Sequence, residues 1–261
     1  MFVDSHCHLD RLDYDKVGSL DEVLDSARRR KVQAFLCIAT HLDGFQNVAD
    51  IAQEHADVFC TSGVHPLQKN IANLDTERLL EQASNDLVVA VGETGLDYYY
   101  AAETKEAQLE SFAAHIEVAK SVQKPLIIHT RDAPADTMRL LREHQADKAG
   151  AVMHCFTESL EMAKEAIELG FYISFSGILT FRTAQSLRDT AKALPLDRIL
   201  IETDCPWLAP VPYRGRENQP AYVVEVAHQL AEIHDMSVDE IAKQTTKNFY
   251  DCFKHIPKGT E

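Results

Sequence analysis

The chain has 261 residues, 45% of them hydrophobic, and a formal net charge of -15. That length can bury a sizeable core, as one large domain or two small ones. The acidity repels polyanions and no Lys/Arg run offsets it, which excludes a broad basic nucleic-acid face and leaves only local grip through metal ions and a few arginines.

In chain order, residues 2–8 form an apolar β-type run ending in two histidines one residue apart. Strand alternation would put Asp4, His6 and His8 on one face and Val3, Ser5 and Cys7 on the other. Residues 20–31 carry Leu20, Val23, Leu24 and Ala27 at helical spacing. Residues 34–39 suit a buried parallel strand, and 45–54 are again helical. A third strand, 58–64, closes on His65-Pro66. A helix over 74–84 precedes a fourth strand, 88–93, which gives way to a polar and aromatic loop over 94–104. A long helix follows from about 105 to 121. Strand five is 125–129 and the next helix 135–144. Strand six is 151–154, and the helix over 160–169 stops at Gly170. Strand seven is 172–177, the helix after it 184–194, and strand eight 199–204. A Pro-rich loop spans 205–220, and helices beginning at Tyr222 and Val238 complete the chain.

Eight buried-type strands alternating with helices predict an α/β protein with a (β/α)8 TIM-barrel fold, one domain over residues 1–261. No linker, repeat or low-complexity tract divides it. A doubly wound open sheet fits less well, because histidines stand where its Gly-rich phosphate turn would follow the first strand. The six cysteines (Cys7, Cys37, Cys60, Cys155, Cys205, Cys252) include no C-x-x-C pair and read as reduced, buried thiols. No apolar run approaches the roughly 18 residues of a membrane span. The first residues show no basic segment leading into an apolar one. The expectation is a soluble cytoplasmic protein without membrane or obligatory protein partner.

Ionisable groups finish several of these strands: His6 and His8 on the first, Glu93 on the fourth, His129 on the fifth, His154 on the sixth and Asp204 on the eighth. In a barrel all these ends meet at one face. One histidine at a strand end reads more often as structural, and one carboxylate more often as a helix cap. Their joint occurrence turns the reading to metal. Four histidines and two acids exceed the needs of one ion and suit two divalent ions about 3.5–4 Å apart, bridged by a carboxylate and a water. Beside this set, His65 either holds substrate or satisfies a loop carbonyl. Glu202 either orients a ligand histidine or pairs with a cation. His41, His55, His115, His144, His228, His234 and His255 are assigned to solvated faces and loops. Tyr98, Tyr99 and Tyr100 are expected to pack their loop. Arg131, Arg182, Arg214 and Arg216 follow strand ends or sit in the last loop, where each either grips phosphate or salt-bridges an acidic surface.

The stretches Asp4-Ser5-His6-Cys7-His8-Leu9-Asp10, Gly63-Val64-His65-Pro66, Gly92-Glu93-Thr94-Gly95-Leu96-Asp97-Tyr98, Ile128-His129-Thr130-Arg131, His154-Cys155-Phe156 and Glu202-Thr203-Asp204 together resemble the TatD-type metal-dependent deoxyribonuclease family, within the amidohydrolase-like superfamily. The loop from Tyr213 to Pro220 is similar to that family's basic Pro-rich segment. The resemblance implies that His6, His8 and Asp204 hold one metal, that His129 and His154 hold the other, and that Glu93 bridges. It implies a metal-dependent hydrolase acting as a 3′-5′ exodeoxyribonuclease, and a site in the pit of a closed barrel points to single-stranded DNA ends as the substrate. Asp204 and Glu93 would be catalytic, and His65, Arg131 and Arg214 would bind substrate. Zn²⁺, Mn²⁺ or Ni²⁺ would occupy such a histidine-rich site tightly, with Mg²⁺ as an exchangeable ion for turnover. The same metals could instead serve a small ester, lactone or amide substrate. A non-enzymatic nucleic-acid-binding scaffold fits poorly with six intact ligands and no basic stripe.

Overall fold

The computed structural model describes residues 1–256. Each apolar run forms its strand: β1 (Phe2–Cys7), β2 (Val32–Cys37), β3 (Val58–Ser62), β4 (Val88–Asp97), β5 (Leu126–Arg131), β6 (Ala151–Met153), β7 (Tyr172–Phe175) and β8 (Ile199–Ile201). They pair in sequence order as one eight-stranded parallel sheet. Parallel neighbours need crossover connections, and helices supply them. These are α1 (Tyr14–Val17), α2 (Leu20–Arg29), α3 (Phe45–Glu54), α4 (Thr76–Ala83), α5 (Tyr98–Ala101), α6 (Lys105–Val122), α7 (Pro134–Glu143), α8 (Leu160–Glu168) and α9 (Gln185–Ala193), followed by α10 (Val223–His234) and α11 (Val238–Cys252). The expected (β/α)8 barrel is the observed fold.

Two apolar layers hold it. The inner one draws on all eight strands, with Val3, Leu36, Val89, Ile127, Val152 and Leu200 buried and Phe59 and Tyr172 packed against them. Phe249, Phe253 and Ile256 fill the end where the strands begin. The helix α11 is fixed there by Asn248, which donates to Ile199 O (2.7 Å), and by Thr246, which donates to Met1 O (3.1 Å). The outer layer sets Phe35, Ile128, Met153 and Phe175 against helix residues such as Leu24, Phe112 and Ile116. With one end plugged, a site can open only at the other, where the strands finish.

Two sequence expectations need correction. Alternation does not hold along β1. Val3 lies in the inner layer, and Ser5 reaches across the barrel to Ser174 (Oγ to Oγ, 3.2 Å), yet Cys7 belongs to the outer layer. The β1–β2 register shifts between Asp4 and Cys7, which lets His6 and His8 turn toward the same pit. In addition, β4 does not end at Glu93. Thr94 to Asp97 pair with Ile128 to Arg131 of β5. Two glycines are what allow this close pairing: a Cβ on Gly95 would lie 2.0 Å from His129 O, and one on Gly92 2.6 Å from Ile127 O.

The barrel closes between β8 and β1 through individual bonds of strand-end residues. Asp204 N–H donates to His6 O (2.9 Å) and His8 N–H to Cys205 O (2.9 Å). Ser5 Oγ donates to Ile201 O (2.9 Å). The carboxylate of Asp4, wholly buried, accepts the backbone N–H of Thr203 (2.8 Å) and its hydroxyl (2.6 Å). Burial pushes the Asp4 pKa up to about 8, against the downward pull of those Thr203 bonds. Thr203→Val keeps the side-chain shape but leaves a buried carboxyl oxygen of Asp4 without its hydrogen-bond partner. It should lower stability by about 1–3 kcal/mol, read as a lower urea midpoint at unchanged m-value. An unchanged midpoint would show that the seam does not need this bond.

Candidate metal centre

Glu93 stands at the centre of the strand-end face, 3% exposed. Its two oxygens look at different partners. Oε2 lies 3.5 Å from His6 Nε2 and 3.7 Å from His8 Nε2. Asp204 Oδ1 lies 3.6 and 3.4 Å from the same two nitrogens, which are 3.1 Å from one another. A tetrahedron with metal–ligand distances of about 2.0–2.2 Å has edges of about 3.3–3.6 Å, so this spacing suits one small cation. Tautomers agree. His8 Nδ1 donates to Ile38 O (3.2 Å), leaving a lone pair on Nε2. Burial, with His154 and His8 nearby, pushes the His6 pKa down to about 3, so it too offers a lone pair.

On the other side, Glu93 Oε1 lies 2.9 Å from His154 Nε2, 3.2 Å from His129 Nδ1 and 3.3 Å from His65 Nε2. His129 is held from behind by Asp97, whose Oδ2 lies 2.9 Å from Nε2, and His154 by Glu202, whose Oε1 lies 3.1 Å from Nδ1. Such carboxylates fix ring orientation and raise ligand basicity. His65 differs. Its Nδ1 accepts the Leu67 N–H (3.1 Å), which places the proton on Nε2, facing Glu93. It therefore has only a donor to turn to the site, whereas His129 and His154, each anchored by a carboxylate at its other nitrogen, would offer a lone pair once a cation replaces the proton facing Glu93.

The electrostatics favour positive charge. Burial works to raise the Glu93 pKa, but the surrounding histidines hold it well below the ordinary value. Burial likewise opposes charge on His154, yet Glu93 and Glu202 push its pKa well up. A field that draws protons onto these rings draws cations equally. Groups able to hold an ion include His6, His8 and Glu93, and His6, His154 and Glu202. Above them opens a cavity of about 750 Å³ lined by His8, His65, Glu93, His129, His154 and Asp204, with Arg11, Leu67, Tyr100, Arg131 and Trp207 also on its wall.

The structure brings together all six expected strand-end residues, with His65 and Arg131 beside them. Arg214 is not among the lining residues. Its guanidinium lies 3.8 Å from the centre of the Phe181 ring and donates to Ala209 O, so packing holds it elsewhere. Arg182 and Arg216 likewise do not line the cavity. Glu202 takes the orienting role of its two readings, accepting from Cys155 N–H as well (2.8 Å). Tyr98 packs its loop through a bond to Asp136, whereas Tyr99 and Tyr100 are exposed.

His115 corrects the sequence reading: it is wholly buried, donating from Nδ1 to Ser111 O and accepting the Val64 N–H at Nε2 (3.0 Å). It thereby holds the loop that carries His65. On the same helix, α6, Gln108 accepts the Asp97 N–H (2.8 Å) and donates to Asp97 O (3.1 Å). Sequence reasoning passed over Asp97, Gln108 and His115. The available signal was a polar stripe, Gln108, Ser111 and His115, at helical spacing inside an apolar face.

Donor chemistry of this kind at the strand-end face of a (β/α)8 barrel defines a metal-dependent hydrolase. The chain belongs to the TatD family: residues 3–254 match the family described as "TatD related DNase". It is 52% identical over 255 residues to the uncharacterized metal-dependent hydrolase YcfH of Escherichia coli (strain K12), covering 97% of this chain and 96% of that one. It is 38% identical over 255 residues to the uncharacterized metal-dependent hydrolase YabD of Bacillus subtilis (strain 168), covering 97% and 99%. The crystal structure of YjjV, a TatD homolog from Escherichia coli K12, superposes with a TM-score of 0.88 at 30% identity, covering 97% and 98%. Among the described residues no helix is long and apolar enough to cross a membrane.

Two outcomes follow from the supporting residues. Asp97→Asn should weaken metal retention about 10–100-fold at unchanged thermal stability, measured by chelator competition; wild-type retention would remove Asp97 from the site. Burial pushes the His115 pKa down to about 4, against the bond to Ser111 O. An unfolded histidine titrates near 6.5, so between these values only the unfolded chain takes the proton. The stability this residue confers is complete above that range and is lost as pH falls toward 4. His115→Gln should remove about 2–3 kcal/mol of that acid loss, read by urea unfolding of both proteins at about pH 4.5 and 7. Parallel curves would contradict the buried neutral ring.

Proposed function

We propose that this protein is a two-metal phosphodiesterase that releases nucleotides from the 3′ ends of single-stranded DNA. The observation that supports it most is the division of Glu93 between two donor sets. His6, His8 and Asp204 would hold one divalent ion, His129 and His154 the second, with Glu93 between them. Zn²⁺, Mn²⁺ or Ni²⁺ suits tight occupancy of such nitrogen-rich sites, and Mg²⁺ suits exchange during turnover. The ions supply Lewis acidity, neutralising the phosphate and making a water more acidic.

The chain's own groups do the rest. Asp204 turns Oδ1 toward the histidines and has Oδ2 left to accept the water's proton as general base. His65, whose Nε2 proton faces Glu93 Oε1 at 3.3 Å, lines the same pit and would share that proton with a bound phosphate oxygen. Arg131 is the local exception to the acidic background. Its guanidinium lies over the rings of Tyr99 (4.2 Å) and Tyr100 (4.6 Å) and enters no ion pair among the described residues. That leaves its donors available for a phosphate oxygen pair. A pit at the mouth of a plugged barrel admits a chain end more readily than the middle of a duplex. The family description supports DNA as the substrate, and six free cysteines fit a reducing cytoplasm.

The deciding assay uses metal-loaded protein on end-labelled linear single strands, circular single strands and duplex. Mononucleotides should appear progressively from the 3′ end, duplex should be cut slowly and circles left intact. Asp204→Asn should stay folded and lose about 10²–10⁴-fold in kcat, with metal content measured alongside. Internal cuts on circles would overturn the end-directed reading. Turnover of small esters or lactones with no DNA cleavage would overturn the nuclease.

A further inference from the structure

The wall of the cavity is chemically divided. Its floor is charged, but Leu67, Tyr100 and Trp207 on its wall are three of the eight large apolar side chains exposed among the described residues. Scattered exposure of this kind is ordinary; collection around one pit is what marks a binding surface.

Trp207 is the best placed. It is 52% exposed, and its ring meets the His8 ring edge-on at 5.1 Å, so it stands directly beside the candidate ligands. Its loop is fixed without help from the indole. Trp207 N–H donates to Asp204 O (3.1 Å), and Asn218, wholly buried, donates to Trp207 O (2.6 Å) and Thr203 O (2.8 Å). The backbone is thus preorganised while the ring remains half in water. Trp207 and Arg11 also line a second, shallower groove beside the pit, so a chain leaving the pit crosses the indole. The pit therefore sets the open face of the Trp207 indole near Arg131, which lies over the Tyr100 ring, and near Arg11, which pairs with Asp10 (3.3 Å). That pattern matches the repeat of base and phosphate in a single strand, where base stacking on aromatic side chains supplies sequence-tolerant affinity.

We propose that Trp207 is a stacking platform for an unpaired nucleobase next to the scissile phosphate. The proposal rests on the nuclease reading for its substrate class. It makes Trp207 a substrate-binding residue that also favours single strands, since a paired base cannot swing onto the indole without breaking its pair.

Trp207 is the chain's one tryptophan, so protein indole emission reports on this position alone. The probes are two short single-stranded DNAs of equal length and charge, one intact and one with its terminal nucleotides abasic, added to metal-loaded protein. The intact strand should quench the emission and the abasic strand should not. The KM for cleavage should be at least about fivefold lower for the intact strand, the low end of what one stacked base supplies. Trp207→Ala should remove that base dependence, and Trp207→Phe should restore most of it, with metal content unchanged in both. Cleavage of both strands with equal KM and no quenching would overturn the platform and leave the nuclease standing. Quenching by the intact strand alone, without cleavage of either, would support the platform and overturn the nuclease. Neither quenching nor cleavage would overturn both.

Discussion

A carboxylate buried among imidazoles sets the terms for the whole strand-end face. Glu93 is almost out of contact with water, and an ionised group in that position is costly unless opposite charge surrounds it. Here five histidines, His6, His8, His65, His129 and His154, come within 3.7 Å of its oxygens. They keep it ionised, and each of its oxygens is thereby committed to a different group of nitrogens. A site for cations results from the arrangement needed to bury the acid. Glu93→Gln would keep the shape but remove the charge on which the rings depend.

Three of the imidazoles around Glu93 are themselves held at fixed orientations. Asp97 holds His129, Glu202 holds His154, and the Ile38 carbonyl holds His8. Behind Asp97 stands Gln108, and behind the His65 loop stands His115, both on α6. One helix on the outside of the barrel therefore positions two separate parts of the site. The precision needed to hold an ion is built from buried carboxylates, backbone groups and neutral side chains, and added surface charge is not required. An acidic chain can consequently carry a site for an anionic substrate.

The barrel and the six strand-end residues were legible in the sequence because both depend on period and position. A short apolar run closed by His, Glu or Asp puts that residue at the mouth whatever its neighbours do. What was not legible depended on approach between distant segments. Thr94 to Asp97 read as loop, because nothing local shows that β5 comes close enough for Gly92 and Gly95 to leave no room for a Cβ. The turn within β1 arises from a register shift against β2, which one strand alone cannot reveal. His115 read as solvated because its partner, Val64 N–H, lies 51 residues away. Arg214 sits in a basic loop that looks suited to phosphate, but the Phe181 ring lies close enough to hold it away.

The seam between β8 and β1 joins the two ends of the barrel. His6 and His8 come from its first strand and Asp204 from the segment just after its last, linked by Asp204 N–H to His6 O and by Asp4 to Thr203. Contacts so far apart in sequence form late, after the loop between them has been ordered. During synthesis the earliest histidines must therefore wait for about 200 residues before Asp204, the second carboxylate beside them after Glu93, arrives. A product cut short before residue 204 would hold scattered, weak donors and no competent centre. A complete donor set is thus also a sign that the barrel has closed, since the bonds that close it run through the same residues.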